Sequence, residues 1–109
     1  MEVETPREFL EQVLSARFNP EKAKGFDAVA QVNITGPQGG SWNVTIKDQK
    51  MQTKEGVDAN PSITLKMKDT DFLALVNGKL NAIQAFMIGK LEFQGNMATA
   101  LKLFDMGFM

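Results

Sequence analysis

Residues 78–103, GKLNAIQAFMIGKLEFQGNMATALKL, change hydrophobic period twice within a few turns, and that change decides the fold. Asn81 is placed to cap a short helix, Ala82 to Ile88, whose apolar members are Ala82, Ile83, Ala85, Phe86, Met87 and Ile88. That is too many for one stripe, so most of the helix circumference is expected to be buried. Gly89 suits the position after the helix end, where a left-handed backbone costs glycine nothing. Lys90 to Gln94 then alternate polar and apolar, as in a strand with one wet face. Gly95 stops that strand, and Asn96 caps a last helix carrying Met97, Leu101 and Phe104 on one side.

Upstream, Thr5-Pro6-Arg7-Glu8 has the form of a helix start, with Thr5 as cap and Pro6 at the first helical position. Phe9, Leu10, Val13, Leu14 and Phe18 make its apolar stripe. Asn19-Pro20 opens a short helical turn ended by Gly25. From Phe26 the period becomes two: Phe26, Ala28, Ala30, Val32 and Ile34 face one way and Asp27, Gln31, Asn33 and Thr35 the other. A turn at residues 36–40 leads to a second strand with Trp42, Val44 and Ile46 inward. Asp48-Gln49 turns into a third strand around Met51 and Thr53, and Lys54 to Pro61 reads as a loop. Ile63, Leu65 and Met67 mark a fourth strand, and Asp69 is expected to cap a helix from Thr70 to Val76, ended by Gly78.

This order predicts an α+β, two-layer fold in a single domain spanning residues 1–109. Short-turn strands pair antiparallel, and the two helices between the fourth and fifth strands allow a crossover on the sheet face. Helices cover one face of a five-stranded mixed sheet, and Gln31, Asn33, Thr35, Asn43, Thr45 and Lys47 suit a polar opposite face.

Composition narrows the chemistry. The 12 Lys plus Arg nearly cancel the 13 Asp plus Glu, and no basic block of the kind nucleic-acid binding requires is present. The chain has no histidine, cysteine or tyrosine, so it offers no imidazole base, thiol nucleophile or phenol. No catalytic residue, metal or cofactor is expected. The absence of cysteine and of signal-peptide features makes the cytoplasm the expected compartment.

The pattern resembles the sterol carrier protein type 2 family, the nonspecific lipid-transfer proteins, over nearly the whole chain. The resemblance is carried by Gly40-Ser41-Trp42, Asp69-Thr70-Asp71-Phe72-Leu73-Ala74-Leu75, Gly78-Lys79-Leu80-Asn81, Ala85-Phe86-Met87, Gly89-Lys90-Leu91 and Gly95-Asn96-Met97. It implies an apolar tunnel between sheet and helices that holds fatty acids, acyl-CoAs, sterols or similar lipids without catalysis, with transient membrane contact possible. The residues put forward as lipid-binding are Trp42, Val44, Leu65, Phe72, Leu75, Val76, Ile83, Phe86, Met87, Phe93, Met97, Leu101 and Phe104. The family often has proline where Ala82 stands and a polar residue where Ile83 stands, which implies a more uniformly apolar tunnel here.

The same apolar clusters also suit a solid core, and seven methionines serve gap-filling as well as an adaptable surface. A second reading therefore stands beside the carrier: an interaction or dimerisation module with no ligand cavity in use. Asp69 and Asp71 are assigned structural roles as helix-start acids, and Lys79 and Lys90 are read as solvated before being read as head-group partners. The end of the chain, Asn96 to Met109, serves equally as a permanent core helix or as a movable cover, with Phe108 on its apolar side.

Overall fold

The computed structural model describes residues 2–108, the side chains of 107 and 108 excepted. The expectations for the Phe108 side chain and for Met109 lie outside what the structure describes. A helical segment opens the fold as α1 (Pro6–Glu8), widens into a π turn (Phe9–Val13) and closes as α2 (Leu14–Arg17). Its start follows the expected chemistry: the Thr5 hydroxyl accepts from the Glu8 amide at 3.0 Å, with Pro6 at the first position. A 3-10 turn, Pro20–Ala23, is capped by Asn19.

Five strands follow: β1 (Ala28–Thr35), β2 (Gly40–Lys47), β3 (Lys50–Glu55), β4 (Ile63–Lys68) and β5 (Leu91–Gln94). They lie in the order β3-β2-β1-β4-β5. β1–β2, β2–β3 and β4–β5 are antiparallel, and β1–β4 is the parallel pair that makes the sheet mixed. Asp48 and Gln49 both take positive φ, 53° and 61°, as a two-residue hairpin with the right twist demands. Helices α3 (Asp69–Val76) and α4 (Ala82–Met87) connect β4 to β5, and α5 (Met97–Leu103) runs on into a second π turn (Phe104–Phe108).

The core lies between the sheet and α1–α3, with Ala100, Leu103, Phe104 and Met106 of the carboxyl-terminal segment packed into the same cluster. Ala30, Val32, Trp42, Val44, Ile46, Ile63, Leu65 and Met67 point into it from alternate strand positions, against Phe9, Leu10, Leu14, Phe72, Leu75 and Val76. The alternation read from the sequence therefore marks the covered face correctly on every one of these strands.

Four expectations are corrected. The crossover is not between β4 and β5, which are antiparallel neighbours; the chain crosses instead from β3 to β4, over two strands. That connection, residues 56–62, runs across the face opposite the helices, and the side chain of Gln31 holds it there. Gln31 accepts from the Asp58 amide at 2.8 Å and donates to the Gly56 carbonyl at 3.0 Å. Gln31, expected on a wet face, is consequently only 2% exposed, a buried amide with its hydrogen bonds met.

The third correction concerns Asp69. Lys68 occupies the cap position of α3, and Asp69 is its first residue, 3% exposed. One carboxylate oxygen accepts from the Thr70 amide at 2.8 Å and the other from the Gln38 amide at 3.0 Å, so Asp69 fastens the β1–β2 turn to the helix start. Gly36 makes room for it: a Cβ there would stand 2.6 Å from Oδ1. The fourth is α4. Only Ala82 and Ala85 of this helix are buried, whereas Ile83, Phe86 and Met87 are exposed, as is the following Ile88. The reason is its position. α4 packs beside the four-residue edge strand β5, which is too short to cover more than one side of it.

Candidate functional site

The site is built by the three elements that the stretch 78–103 encodes. Asn81 accepts from the amides of Ile83 and Gln84, which fixes the start of α4. Asn96 does the same for α5, accepting from Ala98 and Thr99. Gly89, at φ +80°, turns the chain sharply out of α4 so that β5 returns alongside it. Between α4, β5 and α5 lies a groove of about 140 Å³, lined by Ala82, Ile83, Phe86, Leu91, Phe93, Met97, Ala100, Leu101 and Phe104. All nine are apolar. The Phe86 and Phe93 rings meet at 4.9 Å with planes 52° apart and form one end of the wall.

The groove brings together six of the thirteen residues put forward from the sequence: Ile83, Phe86, Phe93, Met97, Leu101 and Phe104. Trp42, Val44, Leu65, Phe72, Leu75 and Val76 sit in the packed core instead, each at most 3% exposed. Trp42 lies on β2, its indole nitrogen donating to Glu11 at 3.0 Å and its ring covered by the Arg7 guanidinium at 5.4 Å. Leu65 is the cross-strand neighbour of Phe93, beside the groove without lining it. Met87 does not line the groove; it lies one helical turn beyond the lining residue Ile83 on α4 and is 78% exposed.

Three lining residues were not put forward: Ala82, Leu91 and Ala100. Leu91 was recoverable, because strand alternation places it on the same face as Phe93. The alanines give no such signal; they matter because small side chains leave room between two helices and a strand. Ala82 and Ile83, the two departures from the family pattern, are both on the groove wall.

Two of the larger hollows have different chemistry. One, about 370 Å³, is lined by Leu10, Glu11, Ser15, Met51, Thr53 and Glu55. The other, about 660 Å³, wraps the β5 edge and mixes Asn33, Thr64, Lys66, Glu92 and Gln94 with Phe86, Leu91 and Phe93. Both are open and half polar, so water fills them at little cost. The smaller groove is the one that water occupies badly, because its walls give no hydrogen bond.

Lys79 pairs with Glu2 at 2.5 Å and Lys90 with Asp71 at 3.7 Å. Among the described residues, a perturbed ion pair lies at the opposite edge of the sheet, at β3. There Arg7, hydrogen-bonded to Glu55, holds the Glu55 carboxyl below the usual carboxylate range, and its own pKa is raised in turn. Among the described residues no group of three or more acidic side chains is placed to hold a metal ion. Nor, among them, is any helix long and apolar enough to cross a membrane.

Fold and groove together define a two-layer α+β domain with an apolar pocket between its last two helices and its edge strand. The chain belongs to the SCP-2 sterol transfer family, whose model matches residues 8–106. It is 43% identical over 70 residues to sterol carrier protein 2 of Homo sapiens, which covers 62% of this chain and 13% of that protein. It is 31% identical over 93 residues to hydroxysteroid dehydrogenase-like protein 2 of Bos taurus, covering 84% of this chain and 22% of that one. The chain thus spans less than a quarter of these curated relatives. The solution structure of palmitated SCP2L2 from Aedes aegypti superposes with a TM-score of 0.72 at 27% identity, covering 94% of this chain and 93% of that chain.

Proposed function

We propose that this chain is a non-catalytic lipid carrier of the cytoplasm that takes the hydrocarbon part of a fatty acid, acyl-CoA or sterol-like lipid into the groove between α4, β5 and α5. The observation that carries this reading is a groove walled entirely by apolar side chains at which Ile83, Phe86, Met97 and Leu101 remain exposed. The palmitated relative of the same fold supports an acyl chain as ligand.

At about 140 Å³ the groove is the size that accepts one benzene-sized group. A whole lipid needs roughly 300 Å³ or more, so binding requires the groove to widen. α4 is the wall best able to move, since its buried residues are two alanines and its remaining hold on β5 is the half-exposed Phe86 ring. Burying a sixteen-carbon chain gains about 13 kcal/mol, at ~0.8 per methylene. Association and ordering cost about 4–15 kcal/mol, which leaves an affinity of about micromolar order. With no polar atom to read the ligand, selection follows chain length and shape, and specificity is broad.

Displacement of a fluorescent fatty acid by palmitate, palmitoyl-CoA and cholesterol tests the reading. Saturable, competitive binding by at least one of them is expected. Failure of all three to bind, in a folded protein that instead forms stable dimers, would leave the interaction module as the better account. Trp42 is a poor reporter for this purpose, being held on Glu11 in the packed core.

A further inference from the structure

Met87 and Ile88 are the part of the apolar surface that the groove does not use. They are 78% and 57% exposed and stand at the carboxyl end of α4, just before the turn at Gly89. Neither lines the groove. From Leu80 to Gly89 no residue is ionisable, and the run is bracketed by Lys79 and Lys90. We propose that this tip inserts into the interface of a lipid bilayer, with Lys79 and Lys90 at phosphate level, and so lays the groove mouth against the membrane. The inference rests on the lipid-binding reading above.

A bilayer fits this surface better than a protein does. A protein seated across the tip and the exposed Ile83, Phe86, Met97 and Leu101 together would close the groove to its ligand. A bilayer in the same place presents acyl chains to the mouth with no water to cross. The patch also lacks the arginine, tyrosine and tryptophan side chains that most often carry the binding energy of protein interfaces. Two protruding apolar side chains are enough to enter the head-group boundary, whereas a stable protein interface needs about 800 Å² from each partner. The bracketing lysines are exposed and, among the described residues, pair with the carboxylates of Glu2 and Asp71. At an anionic surface they exchange these for lipid phosphates, so anionic lipid strengthens an insertion that is chiefly apolar.

The chain has no cysteine, so Met87→Cys carries a single environment-sensitive fluorophore. With vesicles of phosphatidylcholine and phosphatidylserine the label at 87 should shift to the blue. The same label at Lys50→Cys, on the opposite edge strand β3, should not. Met87→Ser combined with Ile88→Ser should weaken flotation with these vesicles by about tenfold or more. Its affinity for a soluble fluorescent fatty acid, measured without vesicles, should be unchanged. Unaltered flotation of the double variant overturns the proposal, as do equal shifts at 87 and 50. A wild-type protein that ignores vesicles but dimerises through these two residues assigns the surface to a second copy and overturns it too. Absence of fatty-acid binding in the wild type counts against the carrier reading instead, and because flotation is a separate measurement the two failures are told apart.

Discussion

Two pairs of phenylalanines show how differently the two ends of this molecule use the same residues. Under α1 and α3, Phe9 and Phe72 meet edge to face at 5.7 Å and are almost wholly buried. Beside α4, Phe86 and Phe93 meet at 4.9 Å, yet Phe86 stays 40% exposed. The difference is one of cover. β1, β2 and β4 are six to eight residues long and lie under the amino-terminal helical segment and α3. β5 has four residues, is an edge strand, and lies beside two short helices with the groove open between them. Apolar side chains that are covered make a core, and those left partly uncovered make a place for a ligand.

The sharpest way to break that comparison is to truncate one ring from each pair. Phe72→Ala should cost about 3–5 kcal/mol in urea unfolding, because it leaves a cavity in a packed core. Phe86→Ala should cost about 1 kcal/mol or less, since its side chain already borders open space. Equal losses would mean that the groove is core and that the two ends do not differ.

How legible this was in the sequence depends on the range of the signal. The caps at Thr5, Asn81 and Asn96 and the turn at Gly89 are local chemistry, and the structure has all of them where the residues indicated. Strand alternation marks Trp42, Val44, Ile46, Ile63, Leu65 and Met67 as inward because a strand has only two faces. What periodicity cannot say is whether something lies over an inward or apolar face. That is why six of the residues put forward as lipid-binding are core, and why α4, dense in apolar residues, was expected to be buried. Gln31 fails for the related reason that its cover is a loop, residues 56–62, whose path no local pattern encodes. Asp69 was placed at the right helix start, but its bond to Gln38 spans 31 residues.

Gln31 gives the second prediction and concerns the far face of the well-covered end. Gln31→Leu removes the partner of the Asp58 amide and of the Gly56 carbonyl while keeping the volume. A loss of about 1–3 kcal/mol is expected, with faster hydrogen exchange confined to residues 56–62. Exchange that rises across the groove helices instead would show that the two ends are not separate in stability.

The third acts on the open end alone. Leu101→Glu places a carboxylate on the groove wall at a position already 39% exposed, so the folded protein can keep the charge hydrated. Stability should change little, while fatty-acid affinity should fall by about tenfold or more, because bound hydrocarbon would desolvate the charge. The two readouts, urea unfolding and ligand displacement, should therefore separate here and move together in Phe72→Ala.

The smallest expected effect is electrostatic and belongs again to the covered end, where Arg7 joins α1 to β3. Its guanidinium contacts Glu55 at 2.5 Å and Glu11 at 2.7 Å. The hydrogen bond and then the charge of Arg7 keep the Glu55 carboxyl below its ordinary pKa. A group whose pKa is lower folded than unfolded adds stability above its unfolded value and loses it as pH falls through the folded one. Wild-type protein should therefore lose stability on acidification through and below the ordinary carboxylate range. Glu55→Gln should lose less over the same interval. Both residues are exposed and the pair is screened by salt, so the gap between the two profiles should be small and should shrink as salt is added. Urea midpoints measured across that pH interval, at low and high salt, give the comparison. Superimposable profiles at low salt would mean that Arg7 and Glu55 hold nothing together, and that packing alone, from Phe9 and Leu10 inward, keeps the amino-terminal segment on the sheet.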